Sequence, residues 1–158
     1  MKLYHGSNVS VRKPRLLPLV RALDFGQAFY LTSDFEQACK WAKTSALRRG
    51  DGLATVSVFE FDEAVADLKI LKFEGPTSEW LRFVSRNRNL GIDDSGCDIV
   101  IGPVANDNTM PVLNLYFKGA YTEEEALRRL LPQRLRDQYA FKTELALSRL
   151  VFTEEIII

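Results

Sequence analysis

Strand-like and helical runs follow one another in this sequence without the regular strand–helix–strand alternation that builds a parallel sheet. Short β-rich runs are expected at Lys2–His5, Phe29–Leu31, Ala54–Phe61, Leu68–Phe73, Cys97–Val104, Gln138–Thr143 and from Leu150 onward. Between them lie helix signals. Ser33 or Asp34 caps a first helix, with Phe35, Ala38, Cys39, Ala42 and Ala46 on one face and Gly50 at its end. Thr77 or Ser78 caps a second, running to Arg88, and Thr109-Met110-Pro111 opens a third that Gly119 stops. Thr122 and Glu125 form a capping box for a fourth, and a short turn follows at Glu144 to Ser148. Neither G-x-G-x-x-G nor G-K-[ST] occurs, so Rossmann and P-loop readings find no support. The pattern predicts an α+β domain over residues 1–158 with largely antiparallel sheets.

Composition narrows the function. With 158 residues the chain suits one domain with a substantial core. Lys plus Arg equals Asp plus Glu at 21 each, which argues against blanket nucleic-acid binding while leaving a local patch open. Cys39 and Cys97 are far apart, lack a C-x-x-C partner and read as two buried reduced thiols. With one histidine in the chain, no metal site is expected. The N-terminus shows no signal peptide, and no apolar run approaches the ~18 residues of a membrane span. A cytoplasmic protein without membrane contact is the expectation.

Two segments carry the chemistry. Leu3-Tyr4-His5-Gly6-Ser7 sets the lone histidine in a strand that ends in a Gly-Ser turn. Asp24-Phe25-Gly26-Gln27-Ala28-Phe29-Tyr30-Leu31-Thr32 sets a tyrosine on an aromatic strand, just before a helix that contains Trp41. Between them, residues 12 to 23 read as a loop, with Pro14 and Pro18 against regular structure, either covering a ligand or serving as a solvated connector. Taken alone, His5 reads more readily as structural and Tyr30 and Trp41 as core residues, and the pairs Arg128-Arg129 and Arg134-Arg136 as solvated faces.

Together the two segments resemble the first two signatures of ADP-ribosyltransferases of the diphtheria-toxin and poly(ADP-ribose) polymerase lineage. Asp137-Gln138-Tyr139-Ala140-Phe141 resembles the strand bearing the third signature, with Gln138 at the usual glutamate position. In order and spacing, LYHGS, DFG-x-x-FY-x-T, QA-x-x-WA, DIVIGPVA and DQY-x-F resemble domain-of-unknown-function family 3990, a bacterial group linked to ADP-ribosyltransferases and toxin–antitoxin pairs.

The resemblance implies a split two-sheet fold whose cleft holds NAD, with a catalytic set of His5, Tyr30 and Gln138. His5 would donate a hydrogen bond to a ribose hydroxyl, and Gly6 would meet the nicotinamide carboxamide through its main chain. Tyr30 and Trp41 would sandwich the ring, with Ser7, Gly26 and Thr32 completing the NAD contacts. Gln138 cannot act as a general base, so mono-ADP-ribosylation is expected, with Glu144, Glu60 or Asp107 as candidates to activate the nucleophile. The implied activity is that of a mono-ADP-ribosyltransferase toxin with an antitoxin partner and a protein or nucleic-acid acceptor. An NAD glycohydrolase and a non-catalytic NAD- or ADP-ribose-binding or partner-binding module are the alternatives. The apolar end Ile156-Ile157-Ile158 is read as a final strand or a partner-binding tail.

Overall fold

The structure is a computed structural model that describes residues 1–18, 23–91, 95–106 and 108–158. Its elements in chain order are β1 (Lys2–Ser7), β2 (Phe29–Leu31), α1 (Phe35–Arg49), β3 (Thr55–Glu60), β4 (Ile70–Lys72), α2 (Ser78–Leu90), β5 (Ile99–Pro103), α3 (Met110–Phe117), α4 (Glu123–Leu130), β6 (Asp137–Phe141), α5 (Glu144–Leu147) and β7 (Val151–Ile157). The strands form two sheets, one of order β1-β3-β7 and one of order β2-β6-β5-β4. Every pair is antiparallel except β4 with β5. The α+β expectation therefore holds, with one parallel edge that the strand signals did not disclose.

Apolar residues glue the layers. Leu3, Phe29, Leu31, Phe59, Phe61, Ile99, Tyr139 and Phe141 form one core cluster that draws on both sheets. A second surrounds Phe25, Trp80, Leu81, Val84, Val100, Leu113, Leu130 and Ala140, where α2, α3 and α4 cover the four-stranded sheet. A third joins Ala38 and Ala42 of α1 to Val56 and Val58 of β3, so β3 buries residues on both faces. Trp80 is fully buried, and its indole N–H donates to the Pro103 carbonyl at 3.0 Å, tying α2 to β5.

Helix ends follow the capping residues. Asp34 rather than Ser33 caps α1, accepting from the Gln37 amide, and Gly50 closes the helix in the left-handed region at φ 72°. Thr77 and Thr122 cap α2 and α4. The capping box at Thr122 is only half made, because the Glu125 carboxylate pairs forward with Arg128 and Arg129. Arg128, Arg129 and Arg134 are exposed, as expected; the first two pair with Glu125, while the half-buried Arg136 bonds Asp34 and Glu36. The segment Val9–Val11 runs without strand pairing, and four residues of the 12–23 loop (19–22) lie outside the described ones. Cys39 and Cys97 are free, as expected, but half-buried instead of fully enclosed. Among the described residues, no helix is long and apolar enough to cross a membrane.

Candidate functional site

Among the described residues, the two sheets touch through backbone at one point. Tyr4 of β1 and Thr32, just past β2, form an isolated antiparallel bridge, with N–H···O distances of 2.9 and 3.0 Å. Continued, that pairing would set Gly6 opposite Tyr30. Instead the strands part, and the side chain of His5 takes the place of the missing ladder bond: its Nδ1 meets the Tyr30 carbonyl at 2.8 Å. The imidazole stacks on Phe29 with ring centroids 4.2 Å apart.

Register then fixes what lines the opening. In an antiparallel ladder, alternate residues of a strand turn their N–H and C=O to opposite edges. Met1 accepts from Phe61, just past β3, whereas Tyr4 spends both main-chain groups on Thr32. Even-numbered residues of β1 therefore face away from β3. The N–H and C=O of Gly6 lie on this open edge, and among the described residues neither has a backbone partner. Side chains alternate in the same way. Tyr4 packs on α1, so Gly6 and Tyr30, each two residues from the bridge, share the α1 side of the split. His5, on the other parity, lies beneath it with Leu3 and Phe29.

Gly6 is required for packing. A Cβ there would overlap the Ala38 carbonyl oxygen and lie 2.7 Å from the Ala42 nitrogen, so α1 seats its backbone directly on β1. The space beside Gly6 on that face is taken by α1, and the edge-facing main chain of Gly6 is what remains open. Trp41 and Cys39 sit on opposite flanks of the buried Ala38–Ala42 stripe at 100° per residue. Cys39 packs against the third core cluster, and Trp41, on the other flank of α1, is half-buried.

The other expected residues occupy varied settings. The Tyr30 hydroxyl donates to the Gly26 carbonyl at 2.6 Å and accepts from the Phe25 amide at 3.1 Å. Gly26 adopts φ 77°, and a Cβ there would lie 2.7 Å from Asn87 Oδ1. Thr32 is fully buried and its hydroxyl donates to Asp137 at 3.0 Å, while the Ser7 hydroxyl donates to Asn8 at 3.3 Å. Gln138 is only 4% exposed. Its Nε2 donates to Asp24 Oδ2 at 3.1 Å and to the Pro103 carbonyl at 3.2 Å. Asp24 in turn receives Arg88 Nε at 2.6 Å.

The structure thus joins His5, Gly6 and Tyr30 around the split, and Trp41 lies half-buried on one flank of α1. Gln138 faces the same side as Ala140, the residue paired with Tyr30, but its amide is engaged inside the protein. Asp24 and Arg88 were not singled out from sequence. Asp24 stood in the quoted DFG segment, yet its partners lie 64 and 114 residues away. Glu60 does not line the split: it lies opposite Lys2 at the far end of β1 and pairs with the N-terminus at 3.4 Å. Glu144 opens α5, and Asp107 lies outside the described residues.

Burial lowers the pKa of His5 from the usual 6.5, against the opposing effect of its bond to the Tyr30 carbonyl. The ring is therefore neutral near pH 7. Because a carbonyl can only accept, Nδ1 carries the proton and Nε2 is left as an acceptor, the reverse of the donor role expected for His5. Two concavities of about 300 and 200 Å³ lie elsewhere, one beside Met1 and Arg149 and one beside Lys72 and Arg136. The split is marked by its open hydrogen-bonding edge. Among the described residues, no group of three or more His, Cys, Asp or Glu side chains could hold a metal.

Comparison with curated proteins gives no match, and comparison with solved structures gives none either. A family model does match, over residues 1–152, and on that match the chain belongs to the family described as Protein of unknown function (DUF3990).

Proposed function

We propose that the protein binds NAD⁺ at the split between β1 and β2 and transfers its ADP-ribose to an acceptor, as a mono-ADP-ribosyltransferase. The observation that carries this reading is the open main-chain edge of Gly6. A nicotinamide carboxamide offers one N–H₂ donor and one carbonyl acceptor, the complement of the N–H and C=O of one extended residue. The half-buried Tyr30 and Trp41 supply aromatic surface on the same side, each stacked pair contributing about 0.5–1.5 kcal/mol beyond burial. Neutral His5 accepts from a ribose hydroxyl through Nε2.

In the reaction, the bond between C1′ of the ribose and the pyridinium nitrogen breaks, and its electron pair leaves with neutral nicotinamide. Positive charge grows on the ribose, and the acceptor's nucleophile bonds to C1′. Its proton passes to the acceptor's own base or to solvent, because Gln138 cannot take it. A rigid hold on the leaving ring is the protein's main contribution.

The buried, neutral Gln138 favours one alternative, a module that binds NAD⁺ or ADP-ribose without turnover. An NAD glycohydrolase, with water as acceptor, shares the same site. The toxin role with an antitoxin partner rests on the resemblance to toxin–antitoxin proteins.

Purified protein incubated with NAD⁺ labelled in the adenosine half is expected to release nicotinamide and label a macromolecule in lysate. His5→Ala and Tyr30→Ala are each expected to lose at least about tenfold in rate, or about 1.4 kcal/mol of transition-state stabilisation. Equal rates in both variants would remove the site assignment. Nicotinamide release without labelling would select the glycohydrolase, and calorimetric binding without release the binding module.

A further inference from the structure

One tripeptide, Asp24-Phe25-Gly26, anchors both Tyr30 and Gln138. Phe25 and Gly26 hold the Tyr30 hydroxyl through the two bonds given above, and Asp24 holds the Gln138 amide. Asp24 is 5% exposed, and each carboxylate oxygen is used: Oδ1 by Arg88, Oδ2 by Gln138 and, at 3.3 Å, by the Ala105 amide. Both groups facing the Gln138 nitrogen, a carboxylate and the Pro103 carbonyl, can only accept. The amide is held one way round, with Nε2 inward and Oε1 turned from both.

We infer that Asp24 is a positioning residue that locks the Gln138 amide so that Oε1 is the atom presented to a ribose hydroxyl of NAD⁺; the ribose part rests on the function proposed above. A carboxylate at this position would offer an acceptor in either orientation. A glutamine offers one only when its amide cannot turn over, and an unheld amide would present N–H₂ to the same hydroxyl. The buried anion behind Gln138, balanced by Arg88, supplies that hold.

The test uses the full chain as D24N, Q138E and D24N/Q138E. In Q138E two carboxylates stand at hydrogen-bonding distance, so one retains a proton that the unfolded chain releases. Because that pKa is raised on folding, Q138E gains stability relative to wild type as pH falls from 8 to 5. Its melting-temperature deficit is expected to shrink by about 4 °C over that range. In D24N/Q138E an amide at position 24 can donate to a carboxylate at position 138; the unfavourable contacts with the Pro103 carbonyl and the Ala105 N–H cost stability at every pH, and with no second carboxylate the deficit is expected to change with pH less than half as much as in Q138E. In nicotinamide release, D24N is expected to lose about tenfold in kcat at little-changed KM, and the double variant to recover to about threefold of wild type. A Q138E deficit that does not change with pH would overturn the Asp24 lock. The expected pH pattern with no nicotinamide release by wild type would uphold the lock and overturn the NAD reading instead.

Discussion

Tyr30 has two duties that one substitution separates. Its half-buried ring packs against the second core cluster, while its hydroxyl bonds Phe25 and Gly26. Tyr30→Phe keeps the ring and leaves those backbone groups to other partners, so a loss of about 1–2 kcal/mol is expected in urea unfolding. NAD⁺ affinity should fall less than in Tyr30→Ala. His5 gives a pH signature. Its pKa is depressed on folding by burial, so the folded state resists protonation. The stability this represents is complete above the unfolded value near 6.5 and is lost as pH falls through the lower folded value. Thermal unfolding from pH 8 to 5 should show wild type losing more stability than His5→Gln on acidification. Equal slopes would mean that the ring is not desolvated. Sequence made His5, Gly6 and Tyr30 legible, because a lone histidine before Gly-Ser and a tyrosine on a short aromatic strand are local patterns. It hid the role of Asp24, whose Arg88 and Gln138 partners are brought to it only by the folding of α2 and β6.

Elements were legible where one residue punctuates them. Asp34, Gly50, Thr77 and Thr122 mark helix ends by local chemistry, and each serves at or beside the expected boundary. Strand limits were less legible: Leu68–Phe73 shrinks to Ile70–Lys72, and β1 extends past His5 to Ser7. Pairing, not propensity, decides those residues. Direction was not legible at all for β4, which joins β5 in parallel through the α2 crossover while every other pair is antiparallel. That crossover depends on Trp80. Trp80→Phe removes the donor to Pro103 and leaves unfilled volume in the second core cluster, so a loss of about 2–3 kcal/mol is expected in chemical denaturation. Because Pro103 also orients Gln138, nicotinamide release should fall with it. An unchanged unfolding midpoint would show that the indole is dispensable.

At the scale of the whole molecule, two sheets share an apolar core yet, among the described residues, meet through backbone only at the Tyr4–Thr32 bridge. The half-paired strand β1 is the consequence, satisfied by β3 along one edge and open along the other beyond the bridge. On the function proposed, this open edge at Gly6 receives the nicotinamide carboxamide. Amide hydrogen exchange of ¹⁵N-labelled protein, with and without NAD⁺, tests it most directly. The Tyr4 and Thr32 amides are expected to be protected in the free protein while Gly6 exchanges fast. NAD⁺ should then shift the Gly6 resonance and slow its exchange at least about tenfold. A Gly6 amide already as protected as Tyr4, or one unmoved by saturating NAD⁺, would contradict the claim.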